Sequence, residues 1–98
     1  MTFIVLFEDA DGKEHLRQAH MADHLAFLAA NAGIITAAGP LFAANGDGHG
    51  GMWNVATEDV ASVEALVRAD PFYPTGLRKT YTVLEWRHVF RDGAPVKP

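Results

Sequence analysis

KEHLRQAHMADHLAFLAANA, residues 13–32, holds neither Gly nor Pro and is dominated by Ala and Leu, so it predicts one long helix. Gly33 follows where a left-handed C-cap is expected. At about 100° per residue, Leu16, His20, His24, Phe27 and Asn31 share one side, with Leu28 nearby. Two imidazoles and an amide thus interrupt the apolar stripe. A helix face that serves only as core is not usually written this way.

The flanks of this helix are strands. Upstream, Thr2 to Phe7 is rich in β-branched and aromatic residues and reads as a largely buried strand. Asp9-Ala10-Asp11-Gly12 is a turn cluster whose aspartates are candidate caps. Downstream, Ile34 to Ala38 is a second strand running into Gly39-Pro40-Leu41-Phe42. Asn45 to Gly51 carries four glycines and predicts a flexible connection, long for a tight hairpin. Met52 to Ala56 is a third strand. Thr57 or Asp59 then caps a short helix from Val60 to Arg68, with Val63, Leu66 and Val67 as its apolar stripe. Asp70-Pro71-Phe72 breaks that helix, and Pro74-Thr75-Gly76 keeps the chain irregular. Thr80 to Phe90 is a fourth strand whose mostly apolar set Thr82, Leu84, Trp86, His88 and Phe90 predicts one covered face. The order is βαββαβ, a ferredoxin-like α+β sandwich with two helices on one face of a four-stranded antiparallel sheet. The other face, still expected to carry aromatic side chains, predicts a homodimer packed sheet to sheet. Residues 1–90 form the domain and 91–98 a flexible C-terminal tail.

Composition narrows the chemistry. Ninety-eight residues allow one domain, and 49% hydrophobic with 20% charged residues describes a globular chain. The absence of Cys removes disulfides, thiolate zinc sites, iron–sulfur clusters and a cysteine nucleophile, and fits a reducing cytoplasm, where the protein is expected. Eight basic against twelve acidic side chains give a net charge of −4, which argues against nucleic acid. Acidic residues follow the apolar start at Glu8, Asp9 and Asp11, so no targeting segment is read there. No apolar run approaches the roughly 18 residues of a membrane span.

Among the five His, His15 and His49 read as solvated and His88 as packing or rim. His20 and His24 have metal-ligand spacing, but no third ligand motif accompanies them, so no metal is expected. Asp70 ends the second helix, and two helices on one sheet face bring its carboxylate within reach of the first. It could orient the His24 imidazole, although spacing alone favours a plain turn before Pro71. The glycine loop lacks a dinucleotide or Walker pattern, and the lone serine, Ser62, has no elbow motif.

Taken in order, His24-Leu25-Ala26-Phe27-Leu28 leading to Gly33, Ala38-Gly39-Pro40-Leu41, Asp70-Pro71-Phe72 with Gly76-Leu77, and a last strand ending near Glu85-Trp86 resemble the YciI-like (YCII-related) family. The resemblance spans the chain from the first strand to about Phe90. It implies a ferredoxin-like fold, a dimer, and kinship with the dimeric α/β-barrel enzymes that include muconolactone isomerase. It implies a His–Asp active site, carried here by His24 and Asp70. One branch of the family is similar to a dehydrochlorinase of a chlorinated hydroxyquinol that works without metal or organic cofactor. Arg17 stands seven residues before His24, farther than the basic residue of some relatives, so no anchoring role is carried over to it.

The expected function is that of a cofactor-independent acid–base enzyme, a lyase, isomerase or dehydrochlorinase, acting on a small cyclic or aromatic molecule. His24 moves the proton and Asp70 fixes its tautomer. Phe42, Trp53 and Phe72 are expected as apolar walls, with His20, Gly39 and Pro40 also at the substrate. Neither metal nor cofactor is expected. The alternative is a small-molecule-binding or accessory homodimer without turnover.

Overall fold

The computed structural model describes residues 1–97, and its first strand sorts the two faces of the sheet. In β1 (Thr2–Asp9), Phe3, Val5 and Phe7 are buried, while Ile4 and Leu6 point the other way. The four long strands run antiparallel in the order β2-β3-β1-β4, with β2 at Ile35–Phe42, β3 at Gly48–Ala56 and β4 at Arg78–Glu85. Register places Val5 between Trp53 and Val83, so one row of apolar side chains crosses the middle of the sheet. Helices α1 (Glu14–Ala30) and α2 (Val60–Ala69) cover this side. Val63 and Val67 join the buried core, and Phe27, Leu28, Leu66, Tyr81 and Val83 pack against it half-buried. The result is the ferredoxin-like α+β arrangement predicted from the element order.

Several local expectations are corrected. The N-terminal aspartates do not cap α1; Lys13 stands at its N-cap without a side-chain bond. Nor does Gly33 end the helix in a left-handed turn. The C-cap is Asn31, with φ −115°, whose side-chain amide donates to the Phe27 carbonyl at 2.8 Å. For α2 the cap is Asp59, which accepts from the Ser62 amide at 2.8 Å. The glycine-rich segment is no loose connection, because strand pairing extends back to Gly48 and the turn closes with the Ala43 amide on the Asp47 carbonyl at 2.7 Å. Gly50 is required here: its φ is +77°, and a Cβ would lie 1.9 Å from the Phe7 carbonyl oxygen.

The last strand departs most. It ends at Glu85, and Phe90–Arg91 (β5) pairs instead with Ala94–Pro95 (β6) in a small hairpin. Asp92-Gly93 explains this, since both residues take positive φ, 54° and 76°, as a two-residue hairpin turn demands. Part of the expected tail 91–98 is therefore paired, and its last residue, Pro98, lies outside the described residues. The covered face of β4 is also the opposite one: Tyr81 and Val83 meet the core, while Leu84 is exposed. With Phe3, Phe7, Trp53 and Tyr81 all on the helix side, the open face carries the aliphatic Ile4, Leu6 and Leu84, and the exposed Trp86 follows Leu84 by two residues, its amide on the Thr2 carbonyl at 2.8 Å. Among the described residues no helix is long and apolar enough to cross a membrane.

Candidate active site

The site begins with a proline. A residue before Pro is pushed out of the helical region, and Asp70, at the end of α2, takes φ −63° and ψ 130°. The helix stops there. The turn is closed by the Asp70 carboxylate itself, whose Oδ1 accepts from the Phe72 amide at 3.0 Å. The plain turn-forming role foreseen for Asp70 is thus real. It also fixes the carboxylate in the direction of α1, where Oδ1 meets Nδ1 of His24 at 2.9 Å.

Three donors converge on this carboxylate, the third being Nη1 of Arg78, 2.7 Å from Oδ2. Asp70 is fully buried. Burial pushes its carboxyl up, but the hydrogen bonds from His24 and the Phe72 amide, with the charge and bond of Arg78, outweigh it and hold it below its ordinary value. An ionised carboxylate only accepts, so Nδ1 of His24 donates to it, and in the neutral ring Nε2 is the nitrogen without a proton. Phe72 stacks on the imidazole with ring centres 4.0 Å apart and planes 13° from parallel. Orientation is therefore set twice, by a bond in the ring plane and by a face against an aromatic.

His24 opens onto a cavity of about 150 Å³ between α1 and the β1–β3–β2 part of the sheet. Leu25, Leu28, Phe7 and Trp53 give it apolar walls, and Gly39 and Pro40 of β2 border it. Nε2 has no protein partner and is not sealed from this space. Two guanidinium groups also line it. Arg17, two helical turns before His24 and hence on the same face, is paired with Asp9. Arg78 lies over the Phe7 ring at 3.8 Å. Burial draws the Arg78 guanidinium below its ordinary value against the opposing pull of Asp70. Outside the cavity is a broader groove of about 860 Å³ bordered by Phe42 and His49.

The predicted residues divide accordingly. His24 and Asp70 meet, and Gly39, Pro40 and Trp53 line the cavity beside them. Phe42 does not; it is 64% exposed and faces the outer groove. Phe72 is no cavity wall, because it is fully buried as the platform under the imidazole. His20 is half-buried and lines neither space, a helical turn having carried it about 6 Å along the axis and about 40° round from His24. Among the described residues no group of three or more His, Cys, Asp or Glu is placed to hold a metal ion. Sequence reasoning missed Arg78 and Asp9, and it gave Arg17 no role. Of these only Arg17 left a signal, its seven-residue spacing from His24.

A family model described as the YCII-related domain matches residues 1–87. Among solved structures, the chain resembles 5-chloro-2-hydroxyhydroquinone dehydrochlorinase (TftG) from Burkholderia phenoliruptrix AC1100, in complex with 2,5-dihydroxybenzoquinone. Identity is 29% with a TM-score of 0.80, over 90% of this chain and 95% of that one. Protein Atu4242 from Agrobacterium tumefaciens matches at 14% identity and a TM-score of 0.51, over 99% and 100% of the two chains, a likeness of fold alone. No curated protein matches.

Proposed function

This chain belongs to the YCII-related domain family, and on that premise we propose that it is a cofactor-independent acid–base enzyme of the lyase, isomerase or dehydrochlorinase kind. Its substrate is a small cyclic or aromatic molecule seated in the cavity beside His24. Nε2 of His24 takes a proton from the substrate, and Asp70 holds the imidazole in the tautomer that leaves Nε2 free. Phe72 fixes the ring plane. Proton removal then drives either expulsion of a leaving group or migration of a double bond, and neither step asks the protein for a nucleophile or a redox centre. The similarity to a dehydrochlorinase makes loss of HCl the first reaction to look for, with the proton going to His24 and chloride to solvent.

The observation that carries this reading is the 2.9 Å contact between Nδ1 of His24 and Asp70, with Nε2 of the same ring open to a cavity of about 150 Å³. Nε2 is thus left without a protein partner yet reachable from the cavity, an arrangement that a purely structural pair would not need. We further propose that residues 1–90 form the domain, with the β5–β6 hairpin at its end in place of a loose tail, and that two copies pair through the open sheet face.

The test is chloride release and proton uptake or release on a panel of chlorinated and unchlorinated hydroquinones and lactones. Turnover lost in His24→Ala and in Asp70→Asn, with both variants folded, supports the enzyme. Tight binding without turnover by the unaltered chain supports the accessory reading instead.

A further inference from the structure

We propose that the cavity takes its substrate as an anion, an ionised phenol or enol, and that Arg78 is the group that holds the charged oxygen. The inference starts from donors without acceptors. A guanidinium offers five N–H donors, and Arg78 uses one inside the protein, from Nη1 to Asp70. Its side chain is only 9% exposed, yet neither Nε nor Nη2 is among the sealed polar atoms that lack a partner. The opening they reach is the cavity, because that is the space Arg78 lines.

The group cannot turn away. Nη1 is tied to Asp70, the plane rests on Phe7 at 3.8 Å, and Trp53 and Phe72 flank it at 5.4 and 5.2 Å. A fixed edge of unspent N–H groups inside an apolar-walled space is an oxyanion-binding arrangement. Both oxygens of Asp70 are occupied, by His24, Phe72 and Arg78, and Oδ2 of Asp9 is held by Arg17; Oδ1 of Asp9 is left without a hydrogen bond among the described residues, and no ion pair joins it to Arg78. On a chain of net charge −4, Asp9 in the wall and Asp70 behind it balance Arg17 and Arg78, so an anion would be held by directed N–H groups rather than by net charge.

Size points to one ring, since an apolar space of about 150 Å³ admits benzene. The inference rests on reading His24 as the base: with one substrate oxygen already ionised and held by Arg78, His24 takes a further proton from the same ring. Arg78 is therefore the specificity-determining residue for ionisable hydroxylated rings.

The experiment is an absorbance titration of the unaltered protein with 4-nitrocatechol, whose colour reports its ionisation, beside its dimethyl ether. Binding of the coloured anion, with its band persisting about 1–3 pH units below the point where the free probe loses it, and no binding of the ether, is the expected result. Arg78→Met then weakens the probe by about 10- to 100-fold, and Arg78→Lys restores part of the shift. Arg78→Met also deprives Asp70 of a partner, so the two-probe comparison on the unaltered chain stands without it. Equal binding of probe and ether, binding of the uncharged probe, or no binding of either at millimolar concentration overturns the proposal. His24→Gln separates the two readings. If the band shift survives in His24→Gln while turnover is lost, both stand. Turnover lost with the probe bound uncharged overturns the anion site alone. An intact shift with turnover unchanged in His24→Gln upholds the anion site and overturns the base.

Discussion

His24 and Asp70 stand 46 positions apart in the sequence, and Nδ1 of the one lies 2.9 Å from Oδ1 of the other. Chain topology makes that contact: α1 and α2 share one sheet face, and Pro71 turns the end of α2 so that its carboxylate reaches the middle of α1. Every statement about chemistry in this cavity passes through that pair.

Removal of either partner is expected to reduce turnover. General acid–base help is worth about 10²–10⁴ in rate, so His24→Ala should lower kcat by that amount. Asp70→Asn should also lower kcat, because an amide at that position can accept from Nδ1 or donate to it and no longer selects one tautomer. Steady-state kinetics on the first substrate found, with circular dichroism to verify folding, checks both. Full activity in either variant removes the dyad.

The same carboxylate makes a prediction about acid. Its folded value lies below the ordinary 3.8, so its contribution to stability is present above that pH and is lost as the pH falls through the depressed value. Urea midpoints measured from pH 5 down to pH 2 should therefore fall. In Asp70→Asn the protein starts weaker at pH 5, with Arg78 buried unpaired, and loses less on acidification. The two curves should converge toward pH 2. A constant gap across the range would assign the acid sensitivity to other carboxylates.

What the sequence displayed and what it concealed divide along a physical line. Local rules carried the element order: alternation in Thr2 to Phe7, the Gly- and Pro-free helix, and the Asp-Pro break all survive in the structure. They mark both members of the pair, a polar interruption on α1 and an acid at the end of α2, but spacing alone favours a plain turn for Asp70, and only the family resemblance joins the two. Arg78 was invisible because a cation after Gly76-Leu77 looks like any solvated strand start; only tertiary packing places it over Phe7. Phe72 was recognised as important but misplaced, its ring going under the imidazole instead of into the cavity wall. Alternation from Thr80 to Phe90 predicts too long a last strand because Asp92-Gly93, with both residues at positive φ, turns Phe90–Arg91 into a separate hairpin.

Gly50 is expected to tolerate no side chain. Its φ of +77° costs an L-residue about 1–3 kcal/mol, and a Cβ 1.9 Å from the Phe7 carbonyl oxygen forces the β1–β3 pairing to move. Phe7 and Trp53 meet edge to face at 5.0 Å beside this point, so the cavity wall moves with it. Gly50→Ala should lower the unfolding free energy read from urea titration by at least that amount and weaken ligand binding together. Gly48→Ala, where a Cβ meets nothing within 4 Å, is the control that should change neither.

The open sheet face supplies the last prediction. Ile4 and Leu84 are register partners on adjacent strands, and Leu6 follows two residues along β1 on the same side. Leu6 and Leu84 are 37% and 49% exposed in the single chain. Covering a leucine side chain that was fully exposed contributes about 1.5–3 kcal/mol, and a two-fold axis counts each such residue twice. An aspartate at position 84 would instead place a carboxylate from each copy in the same dry interface, where desolvation and like charge both oppose association. Analytical ultracentrifugation should find the unaltered protein at twice its 10.6 kDa chain mass and Leu84→Asp at the chain mass itself. Since the cavity lies on the helix side of the sheet, the monomeric variant should still bind ligand. An unaltered chain that sediments at 10.6 kDa leaves this face without a second copy.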